Sequence, residues 1–151
     1  MRVYLPATLG SVARLLADGS LTVDLATATT ADLRAALPET TDEEELELEA
    51  LLDAAELSVG LLALDPSVPR RRVVLAADVR DGSVEPDPDT GPAVVRLTAA
   101  VALECVVSAH VDEGGAEAQV AAGDTEDLDL LWYAASELPD LLTPPPPAPP
   151  S

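Results

Sequence analysis

The strongest pattern of hydrophobic and polar positions lies between residues 42 and 64 and predicts a long helix. Leucines and alanines recur there at helical spacing in two stripes, and five glutamates occupy the first turns, where the helix dipole favours anions. Thr41 and Glu44 fit a capping box at its start. Because the C-terminal half is apolar nearly all round, we expect that half to be buried.

Shorter patterns predict further helices and a set of strands. Thr8 and Thr30 can each cap a short helix, and Gly19 stands where the first of these helices would end. An alanine-rich stretch at 115–122 predicts another helix. Strands are predicted by alternating or continuously apolar runs at residues 2–5, 21–29, 73–79, 93–98, 105–111 and 130–134. The first strand is expected to end at Pro6.

This order of elements predicts an α+β fold, in which a single mixed or antiparallel sheet carries helices packed mainly on one face. Residues 1–142 are expected to form one globular domain, because a chain of 151 residues suits a single core. The proline-dominated segment 143–151 is expected to be a disordered tail.

Composition and charge narrow the classes of partner. The chain carries 28 acidic residues and 8 basic residues, all of them arginine, for a net charge of −20. Such a field repels phosphate groups, so we expect no binding to nucleic acid or to anionic membranes. Lys, Asn, Ile and Phe are absent, which favours a high-G+C genome, although an acidic, lysine-poor surface is also typical of halophiles.

The compartment predicted from the sequence is the cytoplasm. Cys105 is the one cysteine, so no internal disulfide can form, as is usual in a reducing compartment. The first residues lack the apolar segment of a signal peptide, and no run approaches the ~20 apolar residues of a membrane span. Nothing in the sequence predicts a cofactor.

Chemically capable side chains are few. His110 and Asp112 would share one face of a strand, so they are the candidate catalytic pair, a general base and its orienter, unless the acid pairs with the histidine structurally. Arg72 is a candidate ligand-binding residue or a partner for nearby carboxylates. Trp132 and Tyr133, the other ligand-binding candidates, are expected on opposite faces of a strand. One His and one Cys cannot build a soft-metal site, so no metal site is predicted.

Four segments together, MRVYLPAT, RRRVVLAADV, AHVDE and LLWYAASELP, make the chain resemble an uncharacterised family of small acidic proteins from actinobacteria. The resemblance spans residues 1–139. It implies a high-G+C source and a cytoplasmic location. That family brings no known activity, cofactor or catalytic residue to carry over.

The sequence therefore leaves two classes of function open. The first is a non-catalytic cytoplasmic interaction or accessory protein, whose protein partner is unidentified. The alternative is a small hydrolase that depends on carboxylates and histidine, or a domain that binds a small ligand. A pocket joining His110 to at least two acids would favour the alternative, whereas a flat surface with exposed leucine and valine would favour the first class.

Overall fold

The computed structural model describes residues 1–142, so the predicted proline-rich tail at 143–151 lies outside the described residues. Helices and strands alternate irregularly along the described chain. In chain order they are β1 (Arg2–Ala7), α1 (Leu9–Asp18), β2 (Ser20–Leu21), β3 (Leu25–Thr27), α2 (Ala31–Ala36), α3 (Glu43–Leu64), β4 (Val73–Asp78), β5 (Val84–Pro86), β6 (Val94–Leu97), β7 (Val101–Ala102), β8 (Val106–Asp112), α4 (Glu117–Ala121), β9 (Leu130–Ala134) and α5 (Leu138–Leu142).

Seven of these strands form one sheet in the order β5-β6-β3-β1-β4-β8-β9, and β2 pairs with β7 apart from it. Every pair of neighbouring strands is antiparallel. The predicted α+β fold class is therefore confirmed, with an antiparallel sheet. β1, the first strand in the chain, lies at the centre of the sheet between β3 and β4.

Helices cover both faces of this sheet. Alternate residues of β1 and β4 point to opposite sides, which divides the core into two clusters. One side, the α3 face, carries α3 and α2 and therefore most of the helical residues. The other side, the α1 face, is covered by α1 and by α5.

The predicted helix ends are confirmed where short polar side chains or glycine mark them. The Thr8 hydroxyl accepts the Ser11 backbone N–H at 3.1 Å, and Thr30 caps α2 in the same way at Leu33. Gly19 ends α1 with a left-handed φ of 77°. The predicted cap of α3 was wrong by one residue, because Asp42 rather than Thr41 accepts the backbone N–H of Glu45, at 2.9 Å.

The prediction that the C-terminal half of α3 is buried all round is also wrong. Only one stripe of that half is covered, formed by Ala54, Ala55, Ser58 and Leu62. Leu64 is 83% exposed. The sheet can cover one side of a helix only, and no second layer packs outside α3 within residues 1–142.

β1 does not end at Pro6 as predicted. Met1 exchanges backbone hydrogen bonds with Val79 at 2.8 and 2.9 Å, so the even-numbered residues of β1 turn their backbone groups towards β3. β3 pairs with β1 only through Tyr4 and Thr27. Pro6 has no N–H to donate, and its backbone faces β3 at a point where the pairing between β1 and β3 has already ended. The strand can therefore continue through Pro6, which is still paired with Val74 of β4.

Candidate functional site

A groove of about 310 Å³ opens on the α3 face, between the first turns of α3 and the strands β1, β4, β8 and β9. Three of its walls come from segments that are distant in sequence. We call it the His110 groove, and it is lined by Arg2, Tyr4, Glu44, Glu47, Leu48, Leu51, Ala76, Ser108, His110 and Trp132.

The register of the sheet builds the floor of this groove. Tyr4 pairs with Ala76, and Ala76 pairs with Ser108, which makes one row of side chains across three strands. His110 pairs with Trp132 in the adjacent row. Because Ala76 and Ser108 are small, the floor is low between the two aromatic rings, and this leaves the space that the groove occupies.

The helix α3 forms the opposite wall through one of its stripes. Glu44, Glu47, Leu48 and Leu51 recur at the i, i+3, i+4, i+7 spacing of one helical face. The carboxylates of this stripe lie nearest the start of the helix. Leu48 is 52% exposed at the rim, so the wall is acidic with an apolar edge.

The electrostatics of the groove favour a cation over an anion. Burial lowers the pKa of the His110 imidazole, which keeps the ring neutral at neutral pH. Burial, assisted by the charge of Glu47, raises the pKa of the Tyr4 phenol, so that hydroxyl stays protonated. The Arg2 guanidinium donates to the Asp78 carboxylate at 2.6 and 3.2 Å, and this pair neutralises the one cation that lines the groove.

The structure does not join the two predicted catalytic residues. The Asp112 carboxylate is wholly buried and accepts hydrogen bonds from Arg72, namely from its backbone N–H at 2.7 Å and from its guanidinium at 2.8 to 3.2 Å. Within the described residues, no hydrogen bond or ion pair involves the His110 imidazole. Asp112 therefore holds β4 to β8 and leaves His110 without an orienting acid.

Each of the three arginines at 70–72 makes hydrogen bonds to other parts of the fold. Arg70 donates to the carbonyls of Leu62 and Asp65 at the C-terminus of α3, and Arg71 donates to the Asp112 carbonyl at 2.7 and 3.0 Å. Arg72 is buried in its pair with Asp112. None of the three guanidiniums lines the His110 groove.

The two adjacent aromatic residues of β9 lie on opposite faces of the sheet, as the alternation predicts. Tyr133 packs against the core on the α1 face. Trp132 is 62% exposed on the α3 face and forms the outer lip of the His110 groove. Of the predicted site residues, His110 and Trp132 therefore meet in one cavity, while Asp112, Arg72 and Tyr133 lie outside it.

A second cavity, the Leu61 groove, runs along the C-terminal half of α3 with a volume of about 470 Å³. Its lining is mostly aliphatic, with Leu57, Leu61 and Leu64 on the helix. Pro6 and Leu25 line it where β1 and β3 separate. This groove contains no His, Cys or aromatic side chain, so it offers apolar contact rather than chemistry.

Three further observations concern metal binding, the acidic loop and the length of the helices. Among residues 1–142, no three His, Cys, Asp or Glu side chains come together in a way that could hold a metal ion. In the acidic loop after β5, Asp87 pairs with Arg96 at 3.0 Å and with the Thr90 hydroxyl at 2.9 Å. Within the described part of the chain, every helix is too short or too polar to span a bilayer.

The carboxylates of the His110 groove were missed by reasoning from the sequence, which explained the glutamates at the start of α3, Glu44 and Glu47 among them, by the helix dipole and a capping box. Their spacing together with Leu48 and Leu51 is a mixed acidic and apolar stripe, and this stripe was the available signal. The small residues Ala76 and Ser108, on the α3 face of β4 and β8, were a second signal.

Comparison with known proteins places the chain in a family. The family model DUF6912, described as a family of unknown function, matches residues 1–142. The matched range covers all the residues that line both grooves. No curated protein and no solved structure matches the chain. The function has therefore to be inferred from the geometry of the grooves.

Proposed function

Since the chain belongs to DUF6912, a family of unknown function, we propose from the geometry that it is a non-catalytic binding protein. Its His110 groove encloses a cationic side chain, a guanidinium or an ammonium group, that a partner protein presents. The observation that carries this proposal is the meeting of two aromatic rings, two carboxylates and a neutral imidazole in one cavity.

Each component of the groove supports binding of a cation. The faces of Trp and Tyr rings attract cations, by about 0.5–2 kcal/mol depending on desolvation. Glu44 and Glu47 supply charge opposite the rings, and the neutral His110 adds no repulsion. The net charge of −20 would also speed the encounter with a basic partner.

The rim supports a protein partner over a free small molecule. Leu48 on α3 and Trp132 on β9, which both line the groove, are 52% and 62% exposed. Exposed apolar side chains around a polar cavity are typical of sites that bind proteins. An aromatic anchor is also the residue type that contributes most at such interfaces.

The test is a titration with N-acetyl-arginine amide, followed by the fluorescence of Trp132, the one tryptophan in the chain. We expect saturable binding, and no saturable response to N-acetyl-citrulline amide, which has nearly the same shape without the charge. Glu47→Gln should weaken the affinity for the arginine probe about two- to fivefold, as is usual for a partly exposed ion pair.

The matched control is Glu49→Gln, which removes the same charge from the same helix at a position outside the groove. If the two variants weaken binding equally, the arginine probe responds only to the overall negative field and the groove is not the site. Binding of the citrulline probe as tight as that of the arginine probe would also contradict the proposal.

The hydrolase alternative has two observations in its favour. The first is that the groove joins His110 to two acids, Glu44 and Glu47, which is the arrangement expected for that alternative, although no hydrogen bond or ion pair connects either carboxylate to the imidazole within the described residues. The second is that Ser108 and His110 lie in the same groove on the same face of β8. A serine nucleophile requires a base within hydrogen-bond reach and an oriented imidazole, and no hydrogen bond connects Ser108 to His110 in the described chain. Turnover of p-nitrophenyl acetate that is lost in folded His110→Ala protein would establish the alternative.

The cellular setting that we propose follows from the composition. The absence of Lys, Asn, Ile and Phe supports a high-G+C source such as an actinobacterium, and the lone cysteine supports a cytoplasmic location. The excess of carboxylates supports a partner that is a basic protein and not a nucleic acid. Retention of DNA or RNA in a gel shift at low salt would contradict the last of these proposals.

A further inference from the structure

The two edges of the seven-stranded sheet are protected to very different degrees. β5 has three residues, one of them charged, and ends at Pro86, all features that discourage pairing with a further strand. β9 has five residues, LLWYA, with neither a charge nor a proline, and its register against β8 is continuous. Leu131 and Trp132 are 42% and 62% exposed, so the middle of β9 is open to solvent.

The backbone of β9 turns unpaired polar groups towards this open edge. Asp112 donates its backbone N–H to the carbonyl of Arg72, the residue before β4, at 3.1 Å, so its backbone groups point away from β9. Asp112 and Leu130, which are paired across β8 and β9, therefore form a pair without backbone hydrogen bonds between them. At the other end of β9, Ala134 donates its N–H to the Glu137 carboxylate at 2.9 Å. Since backbone direction alternates along a strand, Leu130 and Trp132 also direct their N–H and C=O groups outwards.

The charges around β9 determine which occupant fits. Asp127 and Asp129 precede the strand and Glu137 follows it, and the chain has no basic residue after Arg96. A second copy pairing antiparallel about Trp132 would place Asp127 of one copy opposite Glu137 of the other. That repulsion disfavours self-association, whereas an extended segment carrying Lys or Arg meets opposite charge at both ends.

We propose that an extended basic segment of a partner protein adds to the β9 edge as an eighth strand and places one cationic side chain in the His110 groove. This inference rests on the proposed function. The spacing between neighbouring strands is about 4.8 Å, so side chains on the α3 face of the added strand lie beside the Trp132 ring. An arginine at that position can reach across the ring into the groove, while backbone hydrogen bonds supply affinity that does not depend on sequence.

The experiment uses the whole chain and a seven-residue peptide of alternating arginine and valine with both ends blocked. Amide hydrogen exchange is followed by NMR. We expect the peptide to slow exchange at Leu130 and Trp132, whose N–H groups face the edge. N-acetyl-arginine amide should occupy the groove without slowing exchange at either position.

Two comparisons test the edge itself. The same peptide, N-methylated on the backbone edge that would face β9, keeps its charge but should bind roughly tenfold or more weakly, because it loses edge hydrogen bonds. Leu131→Lys, a charge placed on the edge strand, should weaken binding of the unmodified peptide more than Val107→Lys, which adds the same charge at an exposed position of the inner strand β8. Neither variant should change the affinity for the arginine probe.

The outcomes separate this inference from the proposed function. Strand addition is wrong if the arginine probe binds but the peptide protects neither amide, or if the methylated peptide binds as tightly as the unmodified one. In either case the proposed binding of a cation in the His110 groove is unaffected. If neither ligand binds, both proposals fail. Protection of Leu130 and Trp132 in the free protein, together with a sedimenting dimer, would show that a second copy covers the edge and would overturn the inference.

Discussion

The two faces of the central sheet are built from the same strands, yet they differ in the size and polarity of what they bury. The α1 face is filled by large aliphatic side chains such as Leu5, Leu75 and Leu138, all fully buried. The α3 face relies on alanines, including Ala50 and Ala54 of the helix. Large side chains fill the space between the sheet and the helices on the α1 face. Small side chains let α3 approach the sheet closely, and they leave an unfilled space where the helix moves away from the sheet.

Polar groups accentuate this difference. On the α3 face, the Ser58 hydroxyl donates to the Ala7 carbonyl at 2.7 Å and accepts from the Val73 N–H at 3.2 Å. Arg72 and Asp112 are buried on the same face. Hydrogen bonds are directional, so they fix the position of α3 more tightly than apolar contact does. The α3 face therefore combines a fixed helix with an unfilled groove, which is the combination that a binding site needs.

The largest expected effect comes from breaking the buried ion pair of the α3 face. Asp112→Ala should lower the free energy of unfolding by about 3–5 kcal/mol, because it leaves the Arg72 guanidinium buried without its partner. Urea denaturation at neutral pH measures the change. The double variant Arg72→Met with Asp112→Leu should recover much of the loss. A double variant as unstable as Asp112→Ala would mean that the charges themselves are needed.

The next largest effect is the difference in stability between leucine-to-alanine variants on the two faces of the sheet. Leu75→Ala on the α1 face should cost about 2–5 kcal/mol, as for a fully buried leucine. Leu48→Ala at the rim of the His110 groove should change stability by no more than about 0.5 kcal/mol. Both values follow from thermal or urea unfolding. Similar costs for the two variants would show that α3 is covered by something that residues 1–142 do not supply.

The smallest expected effect is the pH dependence that His110 contributes. Burial lowers the pKa of His110 in the folded state below its ordinary value of 6.5. As pH falls through that ordinary value, the unfolded chain takes up the proton first, so the free energy of unfolding decreases. The charged groups that line the same groove as His110 are Arg2, Glu44 and Glu47.

The measurement for His110 is the difference between wild type and His110→Gln. The variant should lose less stability than wild type between pH 7.5 and 5.5, with both unfolded in urea. Taking this difference cancels the relief of repulsion among the many carboxylates. Identical slopes would mean that the folded imidazole titrates as freely as the unfolded one.

Local features of the fold could be predicted from the sequence, because short-range chemistry sets them. Thr8, Gly19 and Thr30 mark helix ends through contacts within three or four residues, and these were confirmed. The strand at 130–134 was also found with its observed bounds. Exposure of Leu64 was not predicted, since periodicity alone does not reveal how many layers pack around a helix.

The candidate site depends on pairings that the sequence does not reveal. Asp112 lies two residues from His110, and this proximity suggested the pair. Its real partner, Arg72, stands 40 positions away and meets it because Val73 pairs with Val111. Register between distant strands follows from the packing of whole faces, so the groove could not be assembled from local patterns.

The central place of β1 in the sheet has a consequence for how the protein is made. β1 leaves the ribosome well before β4, yet most of its ladder is with β4, where Arg2 pairs with Asp78 and Ala7 with Val73. At synthesis rates of about 5–20 residues per second, the apolar strand waits several seconds for its partner. Closing so long a loop is entropically slow. Nascent chains stalled before residue 73 should therefore present β1 to chaperones, and chains stalled well beyond residue 112 should not.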